Sequence, residues 1–202
     1  MNTLRAVSVA VATLCVTIAD AETRRGPHKL QRDVADISEI VAFFGDSVAV
    51  MDIDNDDVLD CLTTIKTQYD PEGWSATYLW SVQGSTGERF QFPLHLWPKD
   101  KPDYFNFNSS TRPGEVLVGH SDYFDHESCV IAEMPAVGDQ CTLWVTRERK
   151  DSIPDHCLQN FEDICGTGVD LHTKTICKDV DKSAFSKTPE TSARAILMTT
   201  AW

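Results

Sequence analysis

Basic residues are scarce in this 202-residue chain: 18 Lys and Arg stand against 31 Asp and Glu, for a formal charge of −13. A nucleic-acid footprint needs clustered cations, and the few here are scattered, which excludes that class of partner. Long apolar runs are missing as well. No segment approaches the ~20 consecutive apolar residues of a membrane-spanning helix. There is no Gly-x-Ser-x-Gly elbow to present a nucleophile, and no Cys-x-x-Cys pair to hold zinc, so neither an enzyme nor a metal or cofactor protein is expected. What is present, 42% apolar and 24% charged residues, is the composition of a globular protein.

The seven cysteines are the most informative count. Arg5, the uncharged and mostly apolar run Ala6–Ile18, and the small-x-small sequence Ala19-Asp20-Ala21 have the order of a secretory signal peptide, predicted to occupy residues 1–21. Cys15 leaves with it. The remaining Cys61, Cys129, Cys141, Cys157, Cys165 and Cys177 belong to a secreted, extracellular protein, where three disulfides are the default and 15 pairings are open.

Residues 22–32 read as a flexible leader. Asp33 is placed to cap a short helix with Val34, Ile37, Ile40 and Val41 at three- and four-residue spacing, ended by Gly45. Eight short β-rich segments follow: Ser47 to Asp54, Cys61 to Tyr69, Trp74 to Val82, Arg89 to Trp97, Asp103 to Asn108, Glu115 to Ser121, Ser128 to Met134 and Cys141 to Thr146. Turns such as Gly84-Ser85-Thr86-Gly87 and Arg112-Pro113-Gly114 separate them, and no helical stretch interrupts the series. An all-β, antiparallel, eight-stranded up-and-down barrel is the architecture such a meander closes into, wide enough for one small ligand. Pro154, then Leu158, Phe161 and Ile164 at helical spacing, predict a helix on the barrel exterior. Residues 178–202 are polar and predicted disordered.

Strand alternation assigns the faces. Phe90, Phe92, Leu94 and Leu96 share one side and Arg89, Gln91 and His95 the other. Tyr78, Trp80 and Val82 line up likewise, as do Phe105 and Phe107 against Tyr104, Asn106 and Asn108. Asn108-Ser109-Ser110 is a glycosylation sequon, consistent with an outward Asn108. An aromatic interior is either a packed core or the wall of a pocket for a flat or acyl-chain ligand. The acidic run Asp52–Asp57 starts like a calcium loop but holds Asp57 and Thr63 where Gly and Glu are needed, and reads as a solvated turn. The six histidines lack metal-ligand spacing.

Cys141-Thr142-Leu143-Trp144-Val145-Thr146, followed by Ile153-Pro154-Asp155-His156-Cys157-Leu158-Gln159-Asn160-Phe161, resembles the last strand and following helix of the tick salivary lipocalins, the tick histamine-binding protein family. Asp36 to Val41, and Asp60-Cys61, are similar to its amino-terminal region. The resemblance spans residues 33–177 and implies a lipocalin barrel, with Cys61 bridged to Cys177, Cys129 to Cys157 and Cys141 to Cys165. It implies a secreted binder that sequesters host inflammatory mediators, suppressing host defence during feeding. Ligand contacts are expected from Tyr78, Trp80, Phe90, Phe92, Phe105, Phe107, Val130, Thr142 and Trp144.

Amine-binding members carry carboxylates where this chain has Val130 and Thr142. An ammonium without a counter-charge is costly to desolvate, so an eicosanoid or fatty acid is favoured over an amine such as histamine. Lys66, Arg89 and His120 are candidate donors for its carboxylate, with Tyr78 and Trp144 as neutral partners, while Asp52 or Glu133 would serve an amine from another wall. The alternative is a protein-binding immunomodulator, in which loops such as Lys99 to Lys101 or His120 to Glu127 contact a complement component or an immune-cell receptor.

Overall fold

The computed structural model describes residues 34–53, 59–83, 88–135, 138, 140–173 and 177. The expected signal peptide, leader and tail lie outside these residues, as do Asp33 and the 84–87 turn. A short helix, α1 (Ile37–Phe43), precedes β1 (Asp46–Asp52), β2 (Thr63–Asp70), β3 (Ser75–Gln83), β4 (Arg89–Pro98), β5 (Tyr104–Ser109), β6 (Leu117–Phe124), β7 (Cys129–Met134) and β8 (Gln140–Thr146). Helix α2 (Asp155–Cys165) and a two-residue strand β9 (Val169–Asp170) complete the order. Every neighbouring pair from β2 to β8 is antiparallel, and β1 closes the ring between β8 and β2. Beyond the β2 pairing, the end of β1 is joined by β9, which the sequence pattern does not announce.

Three boundaries shift for local reasons. The α1 cap is Asp36, whose carboxylate accepts the Ser38 N–H at 2.8 Å, so Val34 lies outside the helix and exposed. β2 starts at Thr63 and not Cys61, and β3 at Ser75 and not Trp74, because Cys61 (φ 56°) and Trp74 (φ 50°) have left-handed backbone that no strand accommodates. β6 runs on to Phe124 because a bulge between Ser121 and Tyr123 absorbs Asp122 and returns Phe124 to the interior. Gly119 on the same strand lies under the Phe105 ring, where a Cβ would come within 2.5 Å of Cζ.

Two apolar clusters share the β7–β8 wall. Inside the barrel, Tyr78, Trp80, Phe105, Phe107, Val130 and Trp144 pack together. Outside, Val48, Val50, Ile131, Leu143 and Val145 meet Phe161 of α2. This explains why β8 is buried along nearly its whole length: both of its faces are covered. Disulfides Cys129–Cys157 and Cys141–Cys165 fasten α2 to β7 and β8, and Cys61–Cys177 ties the entry to β2 to the carboxy-terminal segment. Asp52, expected in a solvated turn, is instead buried at the end of β1, its Oδ1 accepting the N–H groups of Ile53 and Cys141. Residues 54–58 of that acidic run lie outside the described ones. Among the described residues, no helix is long and apolar enough to cross a membrane.

The β6–β7 hairpin turns on Asp125. Its carboxylate accepts the N–H groups of Glu127, Ser128 and Cys129 at 2.7–3.0 Å and the Ser128 hydroxyl at 2.5 Å, with His156 Nε2 at 3.0 Å. Burial alone would raise its pKa. The hydrogen bonds from Ser128, Cys129 and His156 outweigh it and hold the carboxyl well below its ordinary 3.8. Because the folded pKa is the lower one, this contribution is complete above about pH 4 and is lost as pH falls towards the folded value. Asp125→Ala should lower stability by roughly 2 to 3 kcal/mol at neutral pH and flatten the acid limb of the stability curve, as measured by urea denaturation between pH 2 and 7.

Candidate functional site

The inward residues of the strands leave a cavity of about 90 Å³ at one end of the barrel. Tyr78 and Trp80 of β3, Leu94 and Leu96 of β4, Phe105 of β5, Val130, Ala132 and Met134 of β7, and Trp144 of β8 form its walls. Helix α1 closes the mouth with Ile37, Ile40 and Val41, followed by Phe44. Its apolar residues face inward because the Asp36 cap starts the helix with Ile37 towards the barrel, and residues three and four further on return to that face.

Four points fasten α1. Ile37 N–H donates to the Pro102 carbonyl at 2.8 Å, and the Tyr78 hydroxyl donates to the Phe44 carbonyl at 2.9 Å. Lys66 Nζ donates to the carbonyls of Val41 (2.7 Å) and Ala42 (3.1 Å), completing the helix end where a cation is favoured. Glu39 and His126 meet at 3.1 Å on the exposed side. Burial pushes the Tyr78 phenol far above its ordinary value of 10, reinforced by Tyr69, so it remains a donor at any physiological pH. Desolvation lowers the Lys66 pKa.

Among the described residues, the lining carries hydroxyls but no charged side chain. Ser47 and Thr64 hydrogen-bond each other at 2.7 Å across the β1–β2 closure. Trp144 Nε1 donates to Thr142 Oγ1 at 2.8 Å, and Thr142 donates to the Ala132 carbonyl at 3.2 Å, which leaves the indole face to the cavity. Trp80 lies 5.4 Å from Trp144 and 6.0 Å from Phe92, extending the aromatic wall towards the rim.

Five of the nine expected contact residues therefore line the cavity: Tyr78, Trp80, Phe105, Val130 and Trp144. Phe90, Phe92, Phe107 and Thr142 do not. Phe107 lies tilted beside Phe105 and is fully buried, Thr142 sits behind Trp144, and Phe90 and Phe92 are only half-buried on β4. Alternation gives the face of a side chain but not its height along the barrel axis. No local sequence pattern places α1 at the cavity, since only long-range contacts seat the helix on the mouth. Of the candidate carboxylate donors, Lys66 shares the inward side of β2 with Thr64 and stands at the mouth. Arg89 pairs with Gln83 at the far end of β3–β4, and His120 faces outward against Tyr104. Asp52 and Glu133, the amine candidates, are not in the lining. Asn108 is exposed at the end of β5, opposite His95.

Residues 85–179 match the family model described as tick histamine binding protein. No curated protein matches the sequence. Among solved structures, the chain is similar to AM182 in its serotonin complex, with 16% identity, 73% of this chain and 97% of that one covered, and a TM-score of 0.55. It is also similar to japanin from Rhipicephalus appendiculatus bound to cholesterol (13% identity, 63% and 91% covered, TM-score 0.48) and to lobster apocrustacyanin A1 (9%, 69% and 87%, 0.46). The first of these likenesses shows the barrel fold.

Proposed function

We propose that this chain, a lipocalin-fold relative of the tick histamine-binding proteins, is secreted and sequesters a weakly polar host inflammatory mediator in the barrel, thereby suppressing host defence during feeding. The observation that carries this reading is a cavity walled, among the described residues, by Trp, Tyr, Phe and aliphatic side chains without a carboxylate. An ammonium entering it would lose its water and find no counter-charge. A lipid mediator with one carboxylate fits better: its chain lies against Trp80 and Trp144 while its head reaches Lys66 at the mouth. Ligand pockets usually measure about 300–1,000 Å³. The ~90 Å³ present accepts such a lipid once α1 lifts from the mouth, withdrawing Ile37, Ile40, Val41 and Phe44.

Calorimetric titration with fatty acids, leukotriene and thromboxane analogues, histamine, serotonin and cholesterol tests the reading. Binding of a carboxylate lipid with one-to-one stoichiometry supports it, and no heat with any of the panel overturns it. Lys66→Met should weaken a fatty acid by roughly 10- to 100-fold, the scale of one charge-assisted hydrogen bond, and leave a neutral sterol unaffected. Equal weakening of both would mean that Lys66 acts only by holding α1.

A further inference from the structure

On the outer wall of the barrel, away from the cavity, three side chains converge. His120 and Asp122 lie two apart on β6, and Glu133 of β7 is the register partner of His120. The bulge at Asp122 adds an extra residue to the outer side of β6, while the neighbouring Ser121 and Ala132 face the cavity. His120 Nε2 lies 3.2 Å from Asp122 Oδ2 and 3.6 Å from Glu133 Oε2. One nitrogen or oxygen atom from each residue falls within 4.8 Å of the other two. The side chain of Asp122 is 1% exposed, so this is not a solvated patch of acidic residues.

We propose that His120, Asp122 and Glu133 bind a divalent cation of the zinc type. Ligands on a tetrahedral zinc at bond lengths of about 2.0–2.1 Å stand about 3.3 Å apart, close to the 3.2 and 3.6 Å from His120 to the two carboxylates. Two carboxylates match the charge of a dication with the imidazole neutral. The imidazole nitrogen disfavours calcium and magnesium, which take oxygen ligands, and suits zinc. The Tyr104 ring stacks on His120 at 5.2 Å and 18°, which fixes the imidazole plane as an ordered ligand requires. Water completes the coordination on the exposed side of Glu133.

Among the described residues, the other grouping of this type, Asp125, Cys129, His156 and Cys157, is different in kind. Its two sulfurs form a disulfide and are not thiolates, and Asp125 is occupied in holding the hairpin.

Titrating the oxidised, full-length mature chain with zinc chloride by calorimetry, and with cobalt(II) by visible absorbance, tests the site. One equivalent of zinc and the absorption of four-coordinate cobalt are expected, with a zinc-dependent rise in Tm. His120→Ala and, separately, Glu133→Gln should each weaken zinc at least ~10-fold, whereas His126→Ala should not change it. Glu133 is the more exposed of the two, so Glu133→Gln keeps the test valid should His120→Ala fail to fold. Absence of binding by the parent chain overturns the proposal, as does binding that both variants leave unchanged. Neither result bears on the barrel ligand, because the two sites face opposite sides of the β6–β7 wall.

Discussion

Replacing Cys61 and Cys177 together by alanine is expected to lower stability by about 4 to 5 kcal/mol, the largest effect of any disulfide removal in this chain. The bridge spans 116 residues, against 28 and 24 for the other two, and in the chain-entropy description the longer loop restrains the unfolded chain more. The same description gives about 3.5 kcal/mol for each shorter loop. Folded-state contacts point the same way. The Cys61 N–H donates to the Leu171 carbonyl, and the Leu171 N–H to the Val50 carbonyl, so the bridge seats the segment that forms β9 against β1. Urea denaturation of the parent and the three alanine pairs provides the check. A loss no larger than that from the Cys141–Cys165 pair would show that unfolded-chain entropy does not govern the stability of this barrel.

Ala132→Phe should abolish binding of the barrel ligand, a loss on the order of 100-fold or about 2.7 kcal/mol, while the chain still folds. Ala132 lies in the middle of β7 between the other two lining residues of that strand, Val130 and Met134, and faces the cavity. A phenyl ring there occupies much of the ~90 Å³ present, regardless of ligand polarity. Overpacking carries a penalty of about 1 to 3 kcal/mol, which a barrel with three disulfides withstands. Near-ultraviolet circular dichroism reports the packing of Trp80 and Trp144, and titration reports the ligand. Retention of full affinity by a folded Ala132→Phe chain would place the ligand outside the barrel and direct attention to a protein partner held on its loops.

The eight barrel strands, the barrel closure and the facing of Tyr78, Trp80, Phe105 and Phe107 were legible because a pleated strand writes its two sides into the sequence with period two. Starts of strands were less so: nothing in the identity of Cys61 or Trp74 marks a positive φ. Asp52 shows the limit of reading charge as exposure, since its burial depends on an N–H of Cys141, 89 positions away. The lid-like seat of α1 rests on bonds of the same kind, from Lys66 to Val41 and from Ile37 to Pro102, which no local pattern contains. The His120–Glu133 pairing likewise needs the β6–β7 register, and sequence spacing between the six histidines is blind to it.

The covalent bonds that fasten the helices are unevenly placed. Helix α2 is stapled to β7 and β8 by two disulfides, whereas α1, on the mouth, is held among the described residues by hydrogen bonds, one ionic contact and an apolar face. Stiffness therefore has a direction in this molecule. Thermal opening is channelled to the α1 end, so amide exchange at Ile40 and Phe44 should outpace that at Leu143 and Val145, and the residence time of the proposed ligand should follow the opening of this seven-residue helix while the opposite wall keeps its shape.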